Sequence, residues 1–252
     1  MLRPHPGDRG HRRAGAANAP RATIGSMPAG FHPPVEEYLE TIYGLVEEGV
    51  PVIQARLVER LGHSPQAVSE MVQRLASDGF LLRSGRGLEL SETGRERAES
   101  VVRRHRLAER FLVEVVGLPW HKAHLEAGRW EHVISDDVER RFDEILGHPT
   151  TCPHGNPIPG AAPDATPQVA MADLDTGDRV RVARISEQVE TDFEALTYLS
   201  EHGVVPGRSG RVRSKAPDGT VILELDAPPT ADAPRSVALG AEICRQVYVT
   251  AL

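Results

Sequence analysis

The apolar residues of this 252-residue chain change their period once, and that change limits what the chain can fold into. Before residue 147 they recur at the three-to-four spacing of helices with one buried face. Beyond residue 170 they alternate, as in half-buried strands, and the stretch between, 147–170, is rich in Pro, Gly and Ala and reads as a linker. The expectation is an α+β chain, helical first and ending in a small barrel-like β domain. No run approaches the roughly 18 consecutive apolar residues of a membrane-spanning helix. With only Cys152 and Cys244, there is neither a disulfide framework nor a CxxC metal clip, and no hydrophobic leader opens the chain, so a cytoplasmic protein is expected.

Within this frame the parts differ in charge. The whole chain carries a formal −7, which by itself argues against nucleic acid. Residues 1–30, however, hold five Arg and one acid with few large apolar side chains, and read as a disordered basic tail, with Met27 a possible true start. Residues 54–104 hold nine Arg against seven acids, a locally positive block.

That block has the layout of a winged helix-turn-helix. Val35, Tyr38, Leu39, Ile42, Tyr43 and Val46 mark a first helix, and Ile53 to Leu61 a short second one. After the Gly62-His63 turn, Ser64-Pro65 caps a third helix running to Ser77. Phe80-Leu81-Leu82 and Leu88-Glu89-Leu90 frame a hairpin around Ser84-Gly85-Arg86-Gly87. A major groove admits one helix, whose leading residues meet base edges; here those are Ser64, Gln66, Ser69, Glu70 and Gln73. Arg56, Arg60, Arg74, Arg83 and Arg86 are the expected phosphate contacts. The competing reading is a helical hairpin whose arginines are merely solvated.

A second constellation lies downstream. A long helix from about Glu92 to Val116 has an apolar stripe of Val102, Leu112 and Val116, in which His105 and Glu109 occupy the intervening positions. A helix opening at Pro119 and running to about Val133 repeats the pattern: Trp120, His124, Ala127, Glu131 and Ile134 share one stripe, with His132 beside it. Carboxylates on buried stripes are costly unless paired or coordinated. On the first helix Glu37 and Glu40 are spaced i,i+3 and can face one side. His and carboxylate together suit a divalent Mn, Fe, Co, Ni or Zn ion. A hydrogen-bonded core without metal is the alternative. Cys152-Pro153-His154 offers a thiol and an imidazole but sits in the linker, where a plain loop is expected. In the β part, strands are expected at Arg179–Ile185, Thr220–Leu225, Ser236–Leu239 and Ile243–Val249, with one helix started by a Thr191–Glu194 capping box and stopped at Gly203.

These runs resemble a known family. Arg104-His105-Arg106-Leu107-Ala108-Glu109-Arg110, the segment 126–136, Glu37 to Tyr43 and His154-Gly155-Asn156-Pro157-Ile158-Pro159-Gly160 are similar to the diphtheria toxin repressor and iron-dependent regulator family, over about 31–252. The resemblance implies a homodimeric, metal-activated repressor with two metal sites and a C-terminal SH3-like domain. Its boundaries here are a winged helix-turn-helix domain at 31–95, a helical metal-binding and dimerisation domain at 96–148, a linker at 149–172 and the SH3-like domain at 173–252. It implies an ancillary site of His105, Glu109 and His124, joined from the third domain by a Glu and a Gln, for which Glu187 and Gln188 are the nearest candidates. It implies a primary site containing Glu131 and His132.

Two departures bear on the metal. The family's iron-sensing branch has Met and Cys where this chain has Glu37 and Gly128, whereas the manganese-sensing branch has carboxylates there and a second Glu matching Glu40. No sulfur ligand is expected, which favours Mn(II), with Fe(II) the alternative. Gly128 leaves the primary site one side chain short, to be completed by Glu40, Glu126 or water. The expected partners are double-stranded operator DNA, a second copy of the chain and the divalent ion, with no membrane. A metalloenzyme is the rival class, but no nucleophile motif or HExxH occurs, so no catalysis is expected.

Overall fold

The structure is a computed structural model and describes residues 34–162, 165–227 and 235–252; the basic tail expected at 1–30 lies outside them. The helical half opens with α1 (Pro34–Glu47), α2 (Gln54–Leu61) and α3 (Pro65–Ser77). The wing follows as β1 (Leu81–Ser84) and β2 (Gly87–Leu90), paired antiparallel with Ser84 opposite Gly87. Its two-residue loop needs a positive φ at its first position, and Gly85 supplies it at 61°. Tyr38, Leu39, Ile42, Leu57, Val68, Val72, Leu75, Leu81 and Leu88 form one buried core beneath these elements.

The next helices are α4 (Glu92–Phe111), α5 (Ala123–Trp130) and α6 (Asp136–Ile145). Serine starts three of the helices in this half: Ser64, Ser91 and Ser135 accept from the backbone N–H groups of Ala67, Gly94 and Val138. The long helix does not stay regular to its expected end. Over Leu112–Val116 it widens to a π turn, closed where the Gly117 N–H reaches Leu112 O. That widening rotates Val116 out of the stripe, leaving it 57% exposed. The segment opened by Pro119 begins with a 3-10 turn at Trp120–Lys122 and ends its helix at Trp130, earlier than the periodicity suggests. Among the described residues no helix is long and apolar enough to cross a membrane.

The stretch expected to be a loose linker is packed. Cys152, Pro153, His154, Gly155 and Asn156 are buried, and Thr151 pairs with Pro157 across the turn they make. Gly155, at φ 91°, sits so close to the sheet that a Cβ would meet Ala183 O at 2.1 Å. Beyond it lie β3 (Val169–Ala170), β4 (Arg179–Ile185), α7 (Glu187–Glu190), α8 (Phe193–Glu201), β5 (Ser209–Lys215), β6 (Val221–Leu225), β7 (Ser236–Leu239), α9 (Ala241–Gln246) and β8 (Val247–Ala251). The strands form one antiparallel sheet in the order β3-β8-β4-β5-β6-β7, bulged at Val182/Arg184 and Val212/Ser214. Bulges bend and twist a small sheet around its core, here Val180, Val182, Ile185, Val212, Leu223, Val237 and Val249.

Beyond the short elements β3 and α7, which the periodicity does not show, three details differ from the sequence expectation. Strand β5 was not predicted, because only Gly210 and Val212 of its seven residues are buried. The run Ile243–Val249 is not one strand: Ala241–Gln246 is helical, and pairing begins at Val247. The cap of α8 is Asp192 rather than Thr191, accepting from the N–H groups of Glu194 and Ala195.

Candidate metal centre

α4 and α5 bring their polar stripe positions face to face in the interior. His105, a full turn before Glu109, presents one ring nitrogen to each side. Its Nε2 lies 3.0 Å from His124 Nδ1 and 3.2 Å from Glu109 Oε1. Its Nδ1 contacts Glu131, and Glu40 Oε1 of α1 stands 4.0 Å away. The stripe offsets therefore produce two donor groups that share one imidazole: Glu40, His105 and Glu131, and His105, Glu109 and His124. Glu37 lines the same cleft, a cavity of about 270 Å³, without joining either group. Gly128 faces it too, and a Cβ there would meet nothing within 4 Å, so the position is open space.

A third group comes from the packed linker. Glu109, Cys152 and His154 form a further set of converging donors. His154 Nδ1 lies 3.3 Å from Glu109 Oε1 and 3.2 Å from Glu190 Oε2, and Glu190 is also 3.0 Å from His124. The ring is oriented from behind, its Nε2 3.3 Å from Trp120 O, with the Trp120 ring packed 4.4 Å away, centroid to centroid. One backbone and one side-chain bond hold the loop to the sheet: Ile185 N donates to His154 O, and Asn156 Nδ2 to Ile185 O, both at 2.8 Å. The reading of Cys152-Pro153-His154 as a plain loop is thus corrected by where the loop docks, which sets the Cys152 thiol among the donors around Glu109 and His154. Glu190 was missed as well. The signal was present in the i,i+3 spacing of Glu187 and Glu190, which places one of them on the cluster when the other packs beside it.

The third-domain pair named from the sequence lies outside these groups. Gln188 Oε1 accepts from Arg60 Nη2 at 3.2 Å, and Glu187 Oε1 from Arg106 Nη2 at 2.8 Å. The His132 side chain is buried but turned toward α1: its Nδ1 is 2.6 Å from Glu36 Oε2, and its Nε2 3.1 Å from Glu131 Oε1. Glu36, held on its far side by Arg97, is a buried carboxylate that the sequence reading passed over in favour of Glu37. Glu126 is held by Arg129 and Trp130.

The electrostatics follow from packing acids and imidazoles together away from water. Burial disfavours the His105 imidazolium, but Glu109 and Glu131 outweigh it and lift its pKa well above the usual imidazole value. Against the same burial, Glu109 and Glu190 carry His124 to about 9, and Glu131 and Glu36 carry His132 to about 9. Burial works against ionised Glu131 too, but His105 and His132 bring it down to about 2. Glu40 goes the other way, pushed up to about 8 by burial and the Glu131 charge. Burial likewise pushes the Cys152 thiol up to about 12.

The side chains present fit a divalent cation. Protonated imidazoles supply the positive charge that the buried carboxylates require, and an ion would take it over as those protons leave. Glu109 Oε2 is buried without a hydrogen-bond partner, an orphan acceptor on the carboxylate whose Oε1 meets His105, His124 and His154. The His105, His124 and Glu109 donor atoms are 3.0–3.2 Å apart, close to the spacing that bonds of about 2.0–2.2 Å to a shared ion impose.

At the other end of the helical half, Gln66, Glu70 and Gln73 are exposed along α3, with Ser64 at its cap and Ser69 half-buried; Gln66 bonds Glu70 at 2.9 Å. Arg83 and Arg86 project from the wing beside α2, and no carboxylate pairs with them among the described residues. Arg56 and Arg74 are exposed but paired within their helices, to Glu59 and Asp78. Arg60 faces inward.

Comparison with known proteins follows the same divisions. Residues 31–87 match the family described as the iron dependent repressor N-terminal DNA binding domain, 91–160 its metal binding and dimerisation domain, and 169–251 the FeoA domain. The iron-dependent repressor IdeR of Mycobacterium leprae is 44% identical over 220 residues, spanning 82% of this chain and 95% of its own. The diphtheria toxin repressor of Corynebacterium diphtheriae is 46% identical over 198 residues, covering 75% and 87%. Among solved structures, a manganese-dependent transcriptional repressor in complex with manganese superposes with a TM-score of 0.76 at 32% identity, covering 86% of this chain and all of its own.

Proposed function

The chain belongs to the iron-dependent repressor family, and on that premise we propose that it is a homodimeric repressor that binds a pseudopalindromic operator when its buried donors hold a divalent cation. The observation that carries this reading is a chain of converging donors: His105, His124 and His154 lie 3.2–3.3 Å from Glu109 Oε1, Glu190 lies 3.0 Å from His124, and the other His105 nitrogen faces Glu131 and Glu40. A bound cation supplies the charge that keeps these separate elements together. The proposed ligands are Glu40, His105 and Glu131 on one side, and Glu109, His124, His154, Cys152 and Glu190 on the other. Glu37 stands at the rim of the first group, and His132 is oriented by Glu36 beside it. The oxygen-rich first group suits Mn(II), our preferred ion. Fe(II) is the second reading, favoured by the thiol of Cys152 in the third group.

In this reading α3 enters the major groove with Ser64, Gln66, Ser69, Glu70 and Gln73 toward the bases. Arg56, Arg74, Arg83 and Arg86 lie toward the backbone. The apolar side chains left exposed on the helical unit, Val115, Val116, Leu125, Val133 and Ile145, supply a surface for the second copy. Nothing in this arrangement calls for catalysis, and the protein would act where its operator is, in the cytoplasm.

The test is to select an operator from random duplex DNA with Mn(II)-loaded protein and then compare chelator-treated, Mn(II)-loaded and anaerobically Fe(II)-loaded protein on it. Loading is expected to raise operator affinity by about 5- to 150-fold; equal affinity with and without metal would overturn the reading. Arg83→Ala and Arg86→Ala are expected to weaken binding to every duplex and to lower the salt slope by about one each, read from affinities at three salt concentrations.

A further inference from the structure

The third domain meets the DNA-binding half through α7, and the contact is built twice over. Two successive residues at the end of α1, Glu47 and Glu48, face two successive residues of α7, Glu187 and Gln188, and an arginine bridges each pair. Arg106, from α4, donates to Glu47 Oε1 at 3.0 Å and to Glu187 Oε1 at 2.8 Å, and also to Pro157 O of the docked linker. Arg60, from α2, bonds Glu48 and donates to Gln188 Oε1 at 3.2 Å. The Glu187 carboxylate also lies against α1: a Cβ at Gly44 would be 2.9 Å from Glu187 Oε2. At 100° per residue, the single turn of α7 turns Gln188 roughly opposite to Glu190. One side chain reaches α2 while the other reaches His124 and His154.

We propose that α7 is a strap joining the metal centre to the helix-turn-helix, and that Arg60 is a positioning residue held by the third domain rather than a phosphate contact. A single helical turn cannot move at one side chain without moving at the others. Any change in where Glu190 rests is therefore delivered through Gln188 and Arg60 to α2, the helix that packs against α3. Arg60 has no freedom to serve DNA at the same time: its guanidinium is occupied by Glu48 and Gln188, and the side chain is only 21% exposed. The metal-dependence of this coupling rests on the function proposed above; the contact itself does not.

The experiment uses the full chain with Arg60→Ala, Gln188→Ala and the double variant, each checked by thermal melt. On the selected operator, each single variant is expected to cut the Mn(II)-induced gain in affinity at least threefold while leaving metal-free affinity and salt slope unchanged. The double variant should lose no more than Arg60→Ala alone, since the Arg60–Gln188 contact is already gone in that single variant. Amide hydrogen exchange in metal-free protein supplies a readout independent of operator and metal, and Gln188→Ala is expected to speed exchange in α2 (Gln54–Leu61). A salt slope lowered by about one in Arg60→Ala, with Gln188→Ala silent in both assays, would make Arg60 a phosphate contact and overturn the proposal. If wild-type protein showed no metal response, the function reading would fail, and the exchange result alone would decide the strap.

Discussion

Replacing His105 with alanine is expected to abolish the gain in operator affinity on Mn(II) loading, whereas replacing Cys152 with serine is expected to leave part of it. The difference follows from how the donors are shared. The His105 ring faces Glu131 and Glu40 through Nδ1, and Glu109 and His124 through Nε2, so its loss removes a donor from two groups at once. Cys152 belongs to one group only. With a coupling of the usual size, about 5- to 150-fold, the alanine variant should bind operator equally with Mn(II) and with chelator. Fluorescence anisotropy on the selected operator reads this directly, and calorimetric titration with Mn(II) should show fewer ions bound. An alanine variant that kept the full metal response would remove His105 from the centre.

The second large effect is on stability. Arg106 is 1% exposed, and its guanidinium is shared between Glu47, Glu187 and a linker carbonyl. Arg106→Met is expected to destabilise the fold by about 3–5 kcal/mol, because both carboxylates are left half-buried without a partner. Neutralising them as well, with Glu47→Gln and Glu187→Gln, should recover most of the loss, since the cost lies in the stranded charges rather than in the missing ion pair itself. Denaturant midpoints measure both steps. Burial works against ionised Glu187, and Arg106 overrides it, holding the carboxyl below its ordinary value. The stability this contributes is present above the unfolded carboxyl pKa of about 4.3 and is lost as pH falls through the lower, folded value. The gap between wild type and Arg106→Met should therefore narrow in acid, and a gap that widened would contradict the assignment.

Much of this molecule is legible in its sequence where the signal is local. Ser64 announces its helix by capping it, and Gly85 announces the wing. The His105/Glu109 and His124/Glu131 stripes reveal donors because two helices packed against each other must put their buried faces together. What escaped reading depends on contacts distant in sequence. Cys152 and His154 become donors only because the loop carrying them is bonded to β4 and pressed against α4, and Pro- and Gly-rich composition gives no hint of that docking. Gln188 and Glu190 are both polar residues near a helix start; only the direction from which α7 meets the other helices separates the one that faces Arg60 from the one that faces His124. β5 hid for a different reason, since its outward face is arginine, serine and lysine and leaves too few buried residues to show a period.

The buried turn at Cys152–Asn156 also bears on how this chain could be shortened or diverge. Written as a diagram it is three modules and a connector, an architecture that invites deletion or exchange of the last module. Its chemistry is not partitioned that way. Cutting at the connector would strip Cys152, His154 and Glu190 from around Glu109, leaving a carboxylate sealed in the interior with His105 and His124 as its remaining partners. A truncated descendant would not be the same sensor in a smaller size; it would first have to rebuild its interior, and until then its final domain would be inherited as an obligation rather than an accessory.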